Sequence, residues 1–371
     1  MMKIELPFKV KKPILALGSH TKNTVAFCND RTVCLSPELR DLDDPQDFEA
    51  FAKTTRRFFR KSPVIIAYDP HPQYRSSKYA LEHATKRDFL LTVQHHHAHI
   101  ASCMAENGLA NQRVIGVAFD GTGLGVDNAL WGAEFLICDY RRFRRIGHLR
   151  PIPLLGAEQA IRQPWRLALM WLFLAYGERM WDLDSTFVKK ADRRKWRVLK
   201  RMYLAGFNSP FSSSMGRLFD AVAVLVLNRH EVHFEGELAM QLEKLARRSK
   251  GKAKAYPFGI IIGREEYILD PLPMFKAIIL DLKRRQPPED VAYSFHLTVA
   301  EMIKRMLLKI RGQTRLNKAV FSGGVFQNHL LCLLSSGLLT AQGFDVLLHR
   351  NLSCSDSSLS LGQIAVASHR H

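Results

Sequence analysis

An apolar segment, Phe89-Leu90-Leu91-Thr92-Val93, runs directly into Gln94-His95-His96-His97-Ala98-His99. The first reads as a short buried strand, and the residues from the histidines through Ile100 to Leu109 carry the spacing of a helix. α/β proteins place their sites just beyond such strand ends. Residues four apart share one face of a helix, so His95 and His99 can turn two imidazoles toward one metal ion. For an isolated pair of this kind, a surface cluster or two core histidines satisfied by neighbours is the competing reading. Here the glycine-rich stretch Asp120-Gly121-Thr122-Gly123 follows one strand later. Together the two features favour a site.

At 371 residues the chain exceeds what one core usually serves, so two lobes are expected. A hydrophobic fraction of 47% is enough to bury real cores. Met1 to Lys12 carries five lysine or glutamate charges and no apolar stretch, unlike a secretory leader. The longest apolar run, Leu167 to Tyr176, has ten residues, too few to cross a bilayer. A cytoplasmic location with no membrane partner is the expectation. The six cysteines contain no CxxC pair, which points to reduced thiols rather than a disulfide framework or a zinc ribbon. The net charge of +19 is concentrated in Arg141 to Arg145, Lys189 to Arg201 and Arg247 to Lys254. Solvated helix faces explain such runs at least as well as a ligand does. The charge is weak support for an anionic substrate and weaker support for RNA.

Alternating strands and helices are expected in the N-terminal part. Strands are read at 13–18, 24–28, 32–35, 64–68 and 89–93, and helices at 44–61 and 74–84. Further strands fall at 114–120 and 129–138. From about residue 157 the pattern turns helical, with segments at 158–176, 185–204, 215–227 and 237–246. Strands at 257–262, 318–321 and 344–349 then alternate with helices at 288–310, 325–341 and 358–368. The fold class is thus α/β in two lobes, residues 1–145 and 146–371, with helical insertions in the second.

Three strand-to-turn junctions carry groups suited to phosphate and metal. Asp120-Gly121-Thr122-Gly123 would offer backbone N–H groups to an anion, and Ser322-Gly323-Gly324 opens a helix whose dipole favours phosphate. Singly, each glycine pair is more often a plain turn. One in each lobe favours a nucleotide clasped between them. Ser355-Asp356-Ser357 adds a carboxylate before the last helix, where an N-cap is the competing role. With His95, His99 and Asp120 it would complete a two-histidine, two-carboxylate set suited to Fe(II) or Zn(II).

The ordered motifs resemble a known family. They are Val93 to His99, Phe119-Asp120-Gly121-Thr122-Gly123, Trp131-Gly132-Ala133-Glu134-Phe135, Pro164-Trp165-Arg166, Ser213 to Ala221, Phe234-Glu235-Gly236 and Phe321 to Asn328. Their order is that of the HypF carbamoyltransferases of nickel–iron hydrogenase maturation. Lys22-Asn23-Thr24 and Asp69 to Tyr74 look like that family too. The resemblance runs from about Pro13 onward and covers the C-terminal, threonylcarbamoyl-transferase-like half of a full-length HypF. It implies an actin- and Hsp70-like two-lobed fold. It also implies His95, His99, Asp120 and Asp356 as metal ligands, and Gly121, Thr122, Gly123, Asp220, Gly236, Gly323, Gly324 and Asn328 as the nucleotide site. Two departures stand out. The family's Asn-Asp-Gly-Gly is Ser355-Asp356-Ser357-Ser358 here, and its Gly-Gly-Asp is Gly156-Ala157-Glu158. Serine at a turn that needs positive φ would be strained.

The activity so implied is transfer of a carbamoyl group from carbamoyl-adenylate to the C-terminal cysteine of a HypE-type acceptor, releasing AMP. No residue reads as a covalent nucleophile. The family's acylphosphatase, cysteine-rich zinc and adenylate-forming domains have no counterpart in these residues, so a separate carbamoyl-adenylate-forming domain or protein is an expected partner. Two alternatives stay open: O- or N-carbamoyl transfer to a small molecule or tRNA, and a non-catalytic nucleotide-binding scaffold.

Overall fold

Two large β-sheets divide the chain, with a small two-stranded ribbon of Thr21–Asn23 and Leu39–Asp41 beside the first in sequence. In a computed structural model, residues 1–250 and 253–370 are described. Gly251 and Lys252, inside the third basic run, and His371 lie outside the described residues. The first sheet holds β1 (Met2–Ala16), β2 (Ala26–Leu35), β3 (Ile65–Tyr68) and β4 (Phe89–Thr92), in the order β2-β1-β3-β4. β1 and β2 are antiparallel; β3 and β4 join in parallel, Ile14 opposite Ile65 and Ile65 opposite Phe89. Parallel neighbours need a crossover, and helices Pro45–Phe59 and Arg75–His83 lie in those connections. The first is started by the Asp44 carboxylate, which accepts from the N–H groups of Gln46 and Asp47, with Pro45 in its first turn. It buries Phe51, Ala52 and Phe58 against the sheet. β4 departs from expectation. It is the sheet's edge strand and half-exposed along its length, not a buried one.

The second sheet is larger. Its main path comprises β5 (Val114–Leu124), β6 (Leu130–Cys138), β7 (Phe143–Leu149), β8 (Gly259–Ile262), β9 (Tyr267–Asp270), β10 (Lys318–Ser322) and β11 (Asp345–Leu347). The spatial order is β8-β9-β7-β6-β5-β10-β11. β5, β6 and β7 form an antiparallel meander, while β10 lies parallel to both β5 and β11. The chain therefore leaves the first sheet after Thr92 and enters the second at Val114. The division expected at 145/146 falls inside β7, whose pairing with β6 and β9 keeps both sides of that point in one sheet.

The histidine helix (His95–Glu106) and the last helix (Leu359–Arg370) lie against each other and join the sheets through one core. That core contains Leu6, Ile14 and Ile65 from the first sheet, Val114, Leu136 and Val320 from the second, and Ile100, Met104, Leu361 and Ile364 from the two helices. The close approach depends on Gly362, where a Cβ would collide with the Ala98 carbonyl. Gln363 then ties the last helix to the first sheet, its side chain accepting from Gly18 N at 2.9 Å and donating to Gly18 O at 3.1 Å.

The opposite face of the second sheet carries the helical insertion and the long helix Pro288–Thr314, sharing the largest core. Two expected helices are broken. The segment 158–176 splits into Glu158–Arg162 and Trp165–Tyr176 because Pro164 lacks an N–H and restrains the residue before it. The segment 185–204 splits into Thr186–Lys190 and Arg193–Leu204, the second started by the Asp192 carboxylate on Arg194 N and Lys195 N. The two-lobed α/β architecture with helical insertions, as expected, is what the chain adopts. Among the described residues no helix is long and apolar enough to cross a membrane.

Candidate metal centre and nucleotide cleft

Strand ends converge on one place. Asp69 follows β3, Gln94 follows β4, Asp120 sits in β5, and Ser322 ends β10. Gln94 is the N-cap of the histidine helix. Its carbonyl oxygen accepts from His97 N at 2.9 Å and its amide donates to Leu124 O at 3.0 Å, fixing the first turn against β5. His95 and His99 follow, one turn apart and fully buried. His95 Nε2 stands 3.3 Å from Asp120 Oδ2 and 3.7 Å from Asp356 Oδ1. His99 Nε2 stands 3.6 and 3.5 Å from the same two oxygens. One donor atom from each of the four residues lies within 4.8 Å of every other. The four residues read from sequence as a ligand set are thus brought together.

The electrostatics favour positive charge at this point. Burial alone would lower the His95 pKa, but the carboxylates of Asp356, Asp120 and Asp69 overcome it and hold it well above the ordinary value. Burial would likewise raise Asp120, yet the His95 and His99 rings hold it well below the usual carboxylate range. A divalent cation would take the place of those shared protons. The donor set also fits such an ion. His95 Nδ1 lies 2.9 Å from Asp69 Oδ2, which places a proton on Nδ1 and leaves Nε2 as the ligand atom. His99 Nε2 is buried with no hydrogen-bond partner among the described residues. Two imidazoles with two carboxylates suit Zn(II) or Fe(II). Asp69 was not singled out as a site residue from the sequence; its position directly after an apolar strand was the available signal.

The other two histidines follow the competing reading. His97 Nε2 pairs with Asp139 O at 2.6 Å, and His96 packs beside Trp131. Burial lowers both, His97 to about 4 and His96 well below the ordinary value, so they are neutral core residues.

Asp120-Gly121-Thr122-Gly123 is not the strand-end turn expected. It lies within β5, at a bulge that falls between the Phe119–Ala133 and Gly123–Trp131 pairs. The glycines are required by close approach instead. At Gly121 a Cβ would strike the Glu235 carboxylate, and at Gly123 it would meet the His95 and His96 rings at 2.7 Å. Gly123 therefore clears space for the histidines rather than lining the cleft. Gly323, at φ +104, passes so close to Phe119 that a Cβ would collide with its carbonyl. Only Gly324 of that pair reaches the cleft, its N–H donating to Asp120 Oδ1 at 3.0 Å. The helix expected at 325–341 begins at His329, after a 3₁₀ turn over Gly324–Gln327.

The cleft beside the cluster is a cavity of about 300 Å³, lined by Asp120, Gly121, Thr122, Asp220, Gly324 and Asp356 among others. It continues into a space of about 920 Å³ along Gly236, Phe219, Val325 and Asn328. Asp220 sits on the helix Met215–Leu227, which Ser214 caps; the same hydroxyl donates to Asp120 O at 2.9 Å. Burial pushes Asp220 up to about 6, with Arg217 at 3.2 Å opposing the rise. Gly236 adopts φ +84 with open space around it. Asn328 lines the outer part, but its side chain is engaged within the fold. Its oxygen caps the next helix at Leu331 N (2.9 Å), and its amide faces His296 Nε2 (2.9 Å). Arg217 and Lys22, absent from the sequence-derived set, also line the cleft.

The two departures have different consequences. Ser357 and Ser358 sit in the turn Asp356–Ser358 with no positive φ, so serine causes no strain there. Ala157 does adopt φ 50 with ψ −116, a conformation suited to glycine, at a cost on the order of 1–3 kcal/mol.

Family models agree with this geometry. One described as "HypF Kae1-like domain" matches residues 9–106. Another, "Carbamoyltransferase, Kae1-like Domain, second subdomain", matches residues 116–363. The chain belongs to the HypF family. The two matches meet where the chain passes from the first sheet to the second. The carbamoyltransferase HypF of Synechocystis is 34% identical over 377 residues, covering 97% of this chain and 48% of that protein. A carbamoyltransferase HypF homolog of Cupriavidus necator is 31% identical, covering 96% of this chain and 91% of its own. The crystal structure of full-length HypF in the phosphate- and nucleotide-bound form superposes with a TM-score of 0.91 at 37% identity, over 99% of this chain and 57% of that one. The HypF of T. kodakarensis gives 0.87 at 29% identity, over 99% of this chain and 49% of its own. The chain thus spans about half the length of most of the HypF proteins it matches.

Proposed function

We propose that these residues form the carbamoyl-transfer module of a HypF-type enzyme. The observation that carries the reading is the double engagement of Asp120. Its Oδ2 faces the two histidines while its Oδ1 accepts from Gly324 N, at the wall of the cavity that Asp220 also lines. The donor is carbamoyl-adenylate. Its ribose hydroxyls donate to Asp220, and its phosphate lies against Gly121, Thr122 and Gly324. Gly236 and the Asn328 backbone border the adenine. His95, His99, Asp120 and Asp356 would hold Fe(II) or Zn(II), which when bound supplies Lewis-acid polarisation of the carbamoyl carbonyl.

The acceptor is the C-terminal cysteine thiolate of a HypE-type protein in nickel–iron hydrogenase maturation. Its sulfur attacks the carbamoyl carbon, a C–S bond forms, and the C–O bond to phosphate breaks with its electron pair leaving on AMP. This chain contributes positioning and electrostatics rather than a covalent nucleophile. Cys354, beside the site, has its thiol pushed up by burial to about 12 and stays protonated. Six unpaired cysteines suit a reducing, cytoplasmic setting.

The test is reconstitution. These 371 residues, given carbamoyl phosphate, ATP and a HypE-type acceptor, are expected to yield no carbamoylated cysteine by mass spectrometry. Adding a separate carbamoyl-adenylate-forming domain restores the adduct. An adduct without that domain would show that the chain activates its own donor. No adduct in either case, with nucleotide binding intact, would sink the assignment of this acceptor.

A further inference from the structure

The two candidate ligand histidines are oriented by different means. His95 meets a carboxylate directly, Asp69 at 2.9 Å from Nδ1. Among the described residues His99 Nδ1 meets only the Ser322 hydroxyl, at 3.3 Å. A hydroxyl can donate or accept, so Ser322 by itself does not decide which nitrogen of His99 carries the proton. The Asp120 and Asp356 carboxylates, at 3.6 and 3.5 Å, draw a proton toward Nε2 unless a cation takes their charge, and the influence on Nδ1 comes from further out. Ser322 Oγ lies 2.9 Å from His349 Nε2, and His349 Nδ1 lies 2.6 Å from Glu106 Oε2. The other oxygen of Glu106 accepts from the backbone N–H groups of Arg350, Asn351 and Leu352.

We propose that Glu106, His349 and Ser322 form a hydrogen-bonded relay that presents an acceptor to His99 Nδ1, holding the ring in the Nδ1–H form and freeing its Nε2 for a cation shared with His95, Asp120 and Asp356. The proposal rests on the metal reading only for its purpose; the relay itself is a statement about proton positions. An ionised carboxylate accepts and never donates, so His349 Nδ1 must carry a proton and Nε2 must accept. Ser322 then donates to His349 and has its lone pair left for His99 Nδ1–H. Each step follows from the one before, and Glu106 sets the direction of all of them. Burial would raise the Glu106 pKa, but His349 and the backbone N–H groups hold it below the usual range. Burial lowers His349, consistent with a neutral ring that has one donor and one acceptor. These three are positioning residues.

Glu106→Gln is a sharp test because it keeps the shape and reverses the polarity. With the three backbone N–H groups still held by the amide oxygen, the amide nitrogen faces His349 Nδ1 as a donor. His349 Nε2 then carries the proton and donates to Ser322, which in turn donates to His99 Nδ1, and His99 becomes Nε2–H. Imidazole ¹⁵N spectra of metal-free Asp120→Asn/Asp356→Asn protein at alkaline pH, in which no carboxylate draws the proton to Nε2, should show Nδ1–H for His99, and Nε2–H once Glu106→Gln is added. Zn(II) affinity, measured against a competing chelator, should fall about 10- to 100-fold. Ser322→Ala should lose a similar factor, and adding Glu106→Gln to it should lose nothing more, whereas Ser322→Thr should retain binding. A purely structural role would lower melting temperature without exchanging tautomers. If Glu106→Gln keeps the Nδ1–H form and the parent affinity, the relay is overturned. If the parent binds no Zn(II) here and the tautomer still flips, the relay stands and the metal reading falls.

Discussion

The two halves of the cleft are finished to different degrees. On the proposed metal side the ligand histidines are held from behind by fixed neighbours: Asp69 holds His95, Gln94 holds the helix start, and Ser322 faces His99. On the nucleotide side the protein's own charges hold one another. Arg217 is buried, with Nε and Nη1 unpartnered among the described residues, and its Nη2 is shared between Asp220 at 3.2 Å and Glu235 at 3.0 Å. Glu235 is itself more than half exposed and covers Gly121. The proposed metal half is therefore arranged before anything binds, whereas the proposed nucleotide half would exchange internal ion pairs for ligand contacts. Preorganised sites lose affinity steeply on truncation, and sites that rearrange can gain from substitutions that loosen them.

The largest effect should come from emptying the preorganised half. Purified parent protein should hold about one Zn or Fe per chain, and His95→Ala/His99→Ala should reduce that to background by elemental analysis. Asp69→Asn should lower affinity by a smaller factor, about 10-fold, because both ligand atoms remain. Neither change should abolish the thermal shift given by AMP. Stoichiometric metal retained by the double variant would sink the ligand assignment, and joint loss of both ligands would break the division into halves.

Next is Asp220. AMP should raise the melting temperature by linkage, and Asp220→Asn should remove most of that shift. The parent's affinity for adenosine, which carries no titrating phosphate, should also weaken as pH falls through about 6, where Asp220 gains its proton and accepts less well from ribose. Asp220→Asn should lose this dependence. The same raised pKa bears on stability with a definite sign. A carboxyl that ionises near 4 unfolded and about 6 folded favours the fold below about 4, and that stabilisation is lost as pH rises to about 6. An adenosine affinity flat between pH 5 and 7 would remove Asp220 from the proposed nucleotide site.

Much of this was readable in the chain because the decisive signals are local. The i, i+4 spacing of His95 and His99 needs only a helix, and the order of the motifs needs only the sequence. What local pattern could not supply was contact across the fold. Glu106 and His349 are 243 positions apart, and nothing in either neighbourhood marks them as partners. Gly123 and Gly323 looked like phosphate turns because a glycine freed for close packing and one freed for a ligand are the same letter. Tyr267–Asp270 and Leu272–Lys283 passed unread, since four residues of mixed polarity before a proline give little periodicity. The boundary at 145/146 fell inside a strand because Arg144 and Arg145, consecutive in β7, interrupt the apolar alternation by which a strand is read.

Glu235 offers the smallest effect and the finest test of the contrast. Its carboxylate pairs with Arg217 and stands where a Cβ on Gly121 would be, so an anion approaching the Gly121 backbone must displace it. Glu235→Gln should therefore tighten AMP binding. An ion pair with one exposed partner contributes about 0–1 kcal/mol, which limits the gain to a few-fold. The gain should shrink with added salt, because screening already weakens the pair in the parent. It should leave Zn(II) affinity unchanged, since Glu235 touches none of the four ligand residues. Weaker AMP binding in Glu235→Gln would mean that the carboxylate serves the nucleotide rather than guarding its place. The nucleotide half would then be as fully arranged as the metal half.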